Sequence, residues 1–379
     1  MKKFGIILLL ILWGWGSQAQ ELVKGEIKDV EPQGSYMPTF KTDGEDKAPL
    51  NIILMIGDGM GMAHIATAMY ANGGELTMTN LKTCGWVRTC PKGSFTTDSA
   101  ASGTAYATGE KTHTAAIGVD VNDKPLMNLP EKLDKKGIIS GIITTDYMDG
   151  ATPAAFFAHQ PDRHMSAEIW ADLGSSKLTF FAGGCAESFE DQEYETRDAI
   201  SKKFTIVSDL SEPEVAHARR LGYLPPKAKT ASVNKNRGDF LPATTAFALD
   251  YLSSKAAKGK GFFLMVEGAR IDKSAHDNDY PAVVREVLDF DKAVEAALRF
   301  AEKDGHTLVI ISADHETGAL SLRDGNPETG RMKGIFVSRG HTAIPVPLFA
   351  YGPESQRFMG VQENSDVSNK IYDLLVNKK

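Results

Sequence analysis

Short apolar runs alternate with segments of helical periodicity along this chain, and that alternation strongly limits how it can fold. The runs are Asn51 to Ile56, Ile138 to Thr145, Phe262 to Val266, Thr307 to Ile311 and Val346 to Tyr351, with a shorter one at Leu178 to Ala182. Short, nearly continuous apolar runs are typical of strands buried on both faces of a parallel sheet. The sequence therefore predicts an α/β fold, a three-layer α/β/α sandwich around a central, mostly parallel sheet.

Helices are predicted between these strands. They cover Met62 to Met69, Ala100 to Thr108, Leu241 to Ser254, Tyr280 to Lys303 and Val367 to Leu375. Apolar residues recur on one side of the fourth of these, as on a helix that packs against a sheet. Residues 185 to 240 are charged and weakly periodic, so we expect helices and loops on one face of the domain there.

The beginning of the chain is typical of a secretory signal peptide. Lys2 and Lys3 precede an apolar stretch from Phe4 to Trp15, and small residues follow at 17–20. The alternative is a membrane anchor, but the stretch is short for a span of ~20 residues. We predict a signal peptide at 1–20, a polar N-terminal arm at 21–48, one large domain at 49–379, and export to the periplasm or the extracellular space.

The overall charge limits the classes of partner. The formal net charge is −7 and the sequence pI is about 5.8, whereas a nucleic-acid or anionic-membrane partner usually requires a basic face. We therefore expect neither a specific nucleic-acid partner nor a membrane span. A small anionic substrate stays possible, because bound divalent cations can reverse the local field.

Polar residues with metal-binding chemistry follow several of the predicted strands. They are Asp58, Thr152, Glu267, Asp272, Asp314 and His315. In parallel sheets the carboxyl ends of the strands meet at one edge, so these side chains are expected to converge there. The sequence therefore predicts one site assembled from residues that are far apart in the chain.

Imidazole and carboxylate groups recur at spacings that suit zinc. Asp272 and His276 are four residues apart, and Asp314 and His315 are adjacent. Each pair alone is a weak signal, because surface Asp/His pairs are common. Together with Asp58 and His341 they make a chance arrangement improbable.

Ser99 is the candidate nucleophile, although serine hydroxyls are hardly ionised at neutral pH. A bound zinc would favour the alkoxide, and the start of a helix offers free N–H groups to a phosphate. The alternative is a plain helix N-cap.

Two basic residues are candidates for contact with phosphate. Arg163 could hold two phosphate oxygens, and Lys273, beside Asp272, could contact phosphate through water or balance the carboxylates.

The cysteines leave two alternatives open. Cys84, Cys90 and Cys185 are the three cysteines of the chain. Export to an oxidising space permits a disulfide between the first two, across a hairpin around Pro91. The other possibility is that all of the thiols are free.

Six blocks of the sequence, in the same order, resemble the alkaline phosphatase family. They are NIILMIGDGMG, TDSAASGTAYATGEKT, ATPAAFFAH, VEGARIDKSAH, ISADHETG and GHTAIPVPLFAYGP, spread over most of residues 50 to 352. The resemblance implies an exported phosphomonoesterase that works by double displacement through a phosphoserine. It implies that Ser99 is the nucleophile and that Arg163 holds the phosphate. It also implies three metal sites: one zinc at Asp272, His276 and His341, a second zinc at Asp58, Asp314 and His315, and a magnesium at Asp58, Thr152 and Glu267.

The chain departs from the family pattern at a few positions. Gly150 stands where relatives often have Asp or His, with Asp149 near enough to replace that side chain, and Ala275 replaces a polar residue. The segment between His315 and His341 is short, which implies a reduced crown insertion and weakens the inference of the usual homodimer.

Two alternative functions are a phosphodiesterase of the same superfamily and a non-catalytic phosphate- or metal-binding protein. A sulfatase would need a C/S-x-P-S-R block, which is not found at the nucleophile.

Overall fold

A ten-stranded sheet runs through the middle of the molecule, with helices packed on both of its faces. This computed structural model describes residues 23–27, 30–184, 186–227 and 231–377. The predicted signal peptide at 1–20 lies outside the described residues. Among the described helices, none combines the length and apolar content that crossing a bilayer would require.

The strands and helices are bounded as follows. The strands are β1 (Val23–Ile27), β2 (Asn51–Gly57), β3 (Thr83–Arg88), β4 (Ile139–Thr144), β5 (Phe180–Ala182), β6 (Thr205–Val207), β7 (Leu221–Tyr223), β8 (Phe262–Gly268), β9 (Thr307–Ser312), β10 (Glu316–Thr317), β11 (Ser321–Asn326), β12 (Arg331–Phe336), β13 (His341–Thr342), β14 (Val346–Tyr351) and β15 (Gly360–Glu363). The helices are α1 (Met62–Ala71), α2 (Ser99–Thr108), α3 (Leu129–Asp134), α4 (Ala151–Ala155), α5 (Ser166–Ser175), α6 (Ala186–Glu190), α7 (Tyr194–Lys203), α8 (Phe240–Lys255), α9 (Arg270–His276), α10 (Tyr280–Asp304) and α11 (Asn364–Val376).

The central sheet is mostly parallel, as predicted. Its strand order is β15-β3-β14-β9-β2-β8-β4-β5-β7-β6. Within the described part of the chain, β14 runs antiparallel to both neighbours, and the other strand pairs of this sheet are parallel. The strands at its centre, β2, β8 and β9, are buried along their whole length, which explains their unbroken apolar runs. The predicted three-layer α/β/α sandwich is confirmed.

Two segments differ from the sequence-based expectation. Helices and loops on one face of the domain are expected at residues 185 to 240, but β6 and β7 from this segment add parallel strands to one end of the central sheet. Strands of three residues are too short to show a periodic pattern. The polar segment at 21–48 likewise contains β1, which pairs along its full length with β12.

The short segment between His315 and His341 folds as a hairpin beside the central sheet. Strands β11 and β12 pair antiparallel, and β1 extends them to a three-stranded sheet. The two-stranded ladder of β10 and β13 closes the base of this segment and places Thr317 opposite His341. The ends of the hairpin segment are therefore held together by backbone pairing.

The thiols of Cys84 and Cys90 are free. Cys84 lies within β3 and Cys90 lies two residues beyond its end, so extended backbone separates them. A disulfide needs Cα atoms within about 7 Å of each other, which this backbone does not allow. Of the two alternatives for these cysteines, a disulfide across a hairpin around Pro91 is therefore wrong, and Cys185 lies outside the described residues.

Candidate active site

The carboxyl ends of the central strands bring the predicted site residues together. Asp58 directly follows β2, and Asp314 and His315 follow β9. Glu267 is near the end of β8, and Thr152 lies in α4, which follows β4. The prediction that residues distant in sequence converge at this edge is confirmed.

The first group of converging side chains consists of Asp272, His276 and His341, which we call the outer cluster. Helix α9 places Asp272 and His276 one turn apart on the same face. His276 Nε2 is 3.2 Å from Asp272 Oδ2 and 3.1 Å from His341 Nε2, and His341 Nε2 is 3.5 Å from Asp272 Oδ1. One ligand atom of each side chain lies within 4.8 Å of the others, a spacing that a single cation can bridge.

Backbone carbonyls orient both histidines of the outer cluster. His276 Nδ1 contacts the carbonyl oxygen of Arg339, and His341 Nδ1 is 2.9 Å from the carbonyl oxygen of Thr97. A carbonyl can only accept, so each Nδ1 carries a hydrogen, and in the neutral imidazole Nε2 is then the nitrogen that can bind a cation. The imidazole pairs of metal sites are oriented in this way.

The second group consists of Asp58, Asp314 and His315, which we call the inner cluster. His315 Nε2 is 3.1 Å from Asp314 Oδ2 and 3.5 Å from Asp58 Oδ1. All three residues are buried, and no side chain or backbone group of the described chain makes a well-aligned hydrogen bond to Asp58 Oδ1 or Asp314 Oδ2. Buried carboxylate oxygens without donors are costly unless a cation neutralises them, so this donor set fits a divalent metal.

Ser99 lies where the two clusters meet. Its Oγ is 3.2 Å from His315 Nε2, and the rings of His315 and His341 stack with centroids 3.6 Å apart. Asp98 is the N-cap of α2, because its Oδ1 accepts a hydrogen bond from the backbone N–H of Ala101 at 3.1 Å. The alternative of Ser99 as a plain N-cap is therefore wrong, and its hydroxyl faces the inner cluster.

Asp98 also orients Arg163, which sequence reasoning did not anticipate. Arg163 Nη1 lies 3.3 Å from Asp98 Oδ2, which accepts a second hydrogen bond from Ala115 N at 3.1 Å. About a third of the Arg163 side chain is exposed. The guanidinium is thus held beside the start of α2 and remains open to solvent. The available signal was an aspartate directly before a helical run, which is typical of an N-cap.

The third group contains hard oxygen donors. Glu267 is almost fully buried, and this burial raises the pKa of its carboxyl to about 8. The hydroxyls of Thr144, which contacts the carboxylate, and of Thr152 oppose this rise but do not cancel it. Burial, and next the charge of Asp314, also raises the pKa of Asp58 well above its usual value. Crowded acidic groups of this kind bind either protons or a cation.

In the outer cluster, neighbouring histidines balance the negative charge of the buried carboxylate, Asp272. Burial works against ionisation of Asp272, but hydrogen bonds from His276 and His341 lower the pKa of Asp272 well below its usual range. The hydrogen bond to Asp272 raises the pKa of His276 to about 8. In the protein alone, a proton on this histidine takes the place that a cation would fill.

The structure corrects the expectation for Asp149. Its carboxylate accepts a hydrogen bond from the Ser166 hydroxyl rather than replacing a side chain at position 150. A Cβ added to Gly150 would lie 3.0 Å from Asp146 Oδ2, so the carboxylate next to position 150 is that of Asp146. The same carboxylate pairs with the Lys273 ammonium. Lys273 therefore reaches the edge of the site, held by Asp146.

Comparison with known proteins agrees with this arrangement. The family model described as "Alkaline phosphatase" matches residues 50–185 and 233–337. Alkaline phosphatase 4 of Bacillus subtilis is 31% identical, over 87% of this chain and 90% of its own length. The streptomycin-6-phosphate phosphatase of Streptomyces griseus is also 31% identical, over 88% of this chain and 93% of its own length.

Solved structures show the same similarity in three dimensions. The alkaline phosphatase from the Antarctic bacterium TAB5 has a TM-score of 0.81 and 34% identity, over 88% of this chain and 100% of the other. A variant of that enzyme has been solved with Mg bound in its M3 site. With the family model matching well over half of the sequence, the chain belongs to the alkaline phosphatase family.

Proposed function

We propose that this protein is an exported phosphomonoesterase that forms a phosphoserine on Ser99. The observation that carries the proposal is the position of Ser99 Oγ at the meeting point of the outer and inner clusters. Family membership supports the reaction class. It does not fix the substrate, since one relative is named for streptomycin 6-phosphate and others for alkaline phosphatase activity alone.

The donor sets suit two zinc ions and one magnesium ion. Imidazole and carboxylate ligands in the outer and inner clusters favour zinc. The oxygen donors of Asp58, Thr152 and Glu267 favour magnesium, in line with the Mg bound in the TAB5 variant. When bound, two zinc ions supply Lewis acidity that favours the serine alkoxide and stabilises the leaving oxygen.

The protein's own groups would bind and orient the phosphoryl group. Ser99 loses its hydroxyl proton as Oγ attacks phosphorus, the bond from phosphorus to the ester oxygen breaks, and that oxygen takes up a proton and leaves as the alcohol. The backbone N–H groups at the start of α2 and the guanidinium of Arg163 hold the phosphoryl oxygens. A water molecule then attacks the phosphoserine, which releases phosphate and returns the serine hydroxyl.

Replacement of Arg163 by alanine is expected to weaken phosphate binding more than metal binding. A charge-assisted contact of this kind contributes about 1.5–3 kcal/mol, which corresponds to roughly a tenfold to hundredfold rise in the inhibition constant for inorganic phosphate. Zinc content should stay at the wild-type level, because Arg163 belongs to neither cluster. An inhibition constant equal to that of the wild type would exclude the clamp.

Magnesium binding is expected to depend on pH through Glu267. Because burial raises the pKa of this carboxyl to about 8, it holds a proton at pH 7 in the protein alone. A cation requires the ionised form, so binding at pH 7 should release a proton, and magnesium affinity should rise with pH until about pH 8. Calorimetric titration in two buffers of different ionisation enthalpy measures the proton release.

The Glu267→Gln variant isolates this carboxyl with little change in shape. We expect the zinc-loaded variant to keep both zinc ions but to lose the stimulation by magnesium and the linked proton release. Identical magnesium responses in wild type and variant would rule out Glu267 as a ligand. In that case the carboxylate would only brace the end of β8 through Thr144.

Steady-state kinetics on matched substrates test the proposed function. A phosphate monoester, a phosphate diester and a sulfate ester with the same leaving group should be compared, each with and without a chelator. We expect chelator-sensitive turnover with a strong preference for the monoester. Preference for the diester would favour the phosphodiesterase alternative. Absence of turnover in the zinc- and magnesium-loaded protein would favour a non-catalytic binding protein.

A further inference from the structure

Thr317 contacts residues of both clusters without belonging to either. It is a fully buried residue of β10. Its hydroxyl oxygen is 2.5 Å from Asp272 Oδ1 in the outer cluster and 3.2 Å from His315 Nδ1 in the inner cluster. Its backbone also lies opposite His341 in the ladder between β10 and β13. One side chain thus joins the ligand sets of the two cation sites.

The directions of these two hydrogen bonds follow from the number of hydrogens. A hydroxyl has a single hydrogen, and a carboxylate that binds a metal can only accept, so Thr317 donates to Asp272. Its oxygen then offers only lone pairs to His315, and Nδ1 of that imidazole must carry the hydrogen. A neutral imidazole has one N–H, so Nε2 keeps its lone pair. Nε2 is the atom that faces Ser99 and the carboxylates of the inner cluster.

The backbone around Thr317 is shaped to allow this close approach. A Cβ added to Gly59 would lie 2.8 Å from Thr317 Oγ1 and 2.9 Å from Asp272 Cα. Gly59 also has a φ of +70°, a conformation that favours glycine. Its carbonyl oxygen accepts a hydrogen bond from Thr317 N at 3.2 Å. The turn that carries Asp58 therefore holds the backbone of Thr317 and leaves room for its hydroxyl.

We infer that Thr317 is a positioning residue that couples the two zinc sites. Its hydroxyl fixes His315 in the tautomer that can bind a cation and, with its single hydrogen, holds Oδ1 of Asp272. The inference rests on the proposed two-metal function and adds to it a residue that ties the affinity of one site to that of the other.

Replacement by valine removes the hydroxyl and keeps the shape of the side chain. Thr317→Val leaves Asp272 Oδ1 without its donor and His315 Nδ1 without its acceptor, both in a buried place. Loss of hydrogen bonds that orient metal ligands typically lowers metal affinity by about tenfold to hundredfold. Thr317→Ser keeps the hydroxyl and should bind metal as the wild type does.

The matched control is Thr342→Val, in the strand paired with β10. The Thr342 hydroxyl also donates to a carboxylate, that of Glu316, but neither residue belongs to a cluster. This variant loses the same kind of hydrogen bond in the same ladder. Zinc affinity in Thr342→Val should stay within about threefold of the wild type, well below the tenfold to hundredfold loss expected when a group that orients a metal ligand is removed.

The test is a zinc titration of the metal-depleted full chain against a chromophoric chelator, for the wild type and the three variants. We expect both zinc affinities to fall about tenfold to hundredfold in Thr317→Val and to be restored in Thr317→Ser. Unchanged affinities in Thr317→Val, loss at one site only, or equal weakening in Thr317→Ser would overturn the inference. If the wild type itself bound no zinc, the proposed function would fail instead.

A second measurement does not depend on the folding of any variant. Long-range ¹H–¹⁵N correlation spectra of the zinc-loaded wild type report which nitrogen of His315 is protonated. The inference requires a protonated Nδ1 and a metal-bound Nε2. The opposite tautomer would overturn it, even if Thr317→Val failed to fold.

Discussion

Ser99→Ala is expected to lose nearly all monoesterase activity while keeping both zinc ions and the fold. The hydroxyl is the only group removed, and α2 keeps its N-cap because Asp98 provides it. Loss of a covalent nucleophile typically lowers kcat by several orders of magnitude, on the order of 10⁴ to 10⁶. Some turnover can survive, because the remaining groups still bind and polarise the phosphoryl group.

The matched control for this variant is Ser94→Ala in the preceding loop. Ser94 is exposed, and its hydroxyl donates to the carbonyl oxygen of Thr96, outside both clusters. Its activity should equal that of the wild type. Undiminished turnover in Ser99→Ala, measured at the same zinc content, would exclude the covalent role.

His341→Ala is expected to have the second largest effect. His341 supplies one of the three ligand atoms of the outer cluster, and its ring stacks on His315 of the inner cluster. Loss of groups that merely orient a ligand already costs about tenfold to hundredfold in metal affinity, so loss of a ligand itself should cost at least about a hundredfold. Elemental analysis after dialysis should show about one zinc ion fewer per chain, with a large fall in activity.

His113→Ala serves as the control for the loss of an imidazole. His113 is half-exposed and pairs with Asp123 at 3.0 Å, away from both clusters. We expect wild-type zinc content and activity. Full zinc content in His341→Ala would show that His341 is not a ligand, whatever its activity.

The central part of the fold could be predicted because strands that are buried on both faces have continuous apolar sequences. Strands β2, β8 and β9 are enclosed on both faces, so they must be apolar throughout. Strands nearer the ends of the sheet are harder to recognise from their sequences. In β3, buried and exposed residues alternate, and β6 and β7 have three residues each, so their pairing depends on the sheet that is already present.

The convergence of the candidate metal ligands could be predicted for a related reason. Parallel strands bring their carboxyl ends together, so Asp58 and Asp314 were placed in one site by topology alone. The residues that orient other side chains of the site could not be found in this way. Asp98, Asp146 and Thr317 act through hydrogen bonds to partners that lie far away in sequence. Asp98 directly precedes a helical run, as an N-cap does, but the local sequence does not show which distant side chain it meets.

Position 150 shows the limit of reasoning from neighbours in sequence. Asp149 is adjacent to Gly150, yet its carboxylate turns to Ser166, whereas Asp146 folds back against Gly150 and pairs with Lys273. The backbone between β4 and α4 decides which carboxylate faces the site. That path depends on the packing of the whole loop.

Acid quenching during turnover tests whether Ser99 forms a phosphoserine. The zinc- and magnesium-loaded protein should be mixed with a phosphate monoester, quenched in acid after a few turnovers, digested and mapped by mass spectrometry. We expect one phosphoryl group on the peptide that contains Ser99, at Ser99 itself, and none in Ser99→Ala. Active turnover with no phosphoryl group on that peptide, or with the group on another residue, would contradict it.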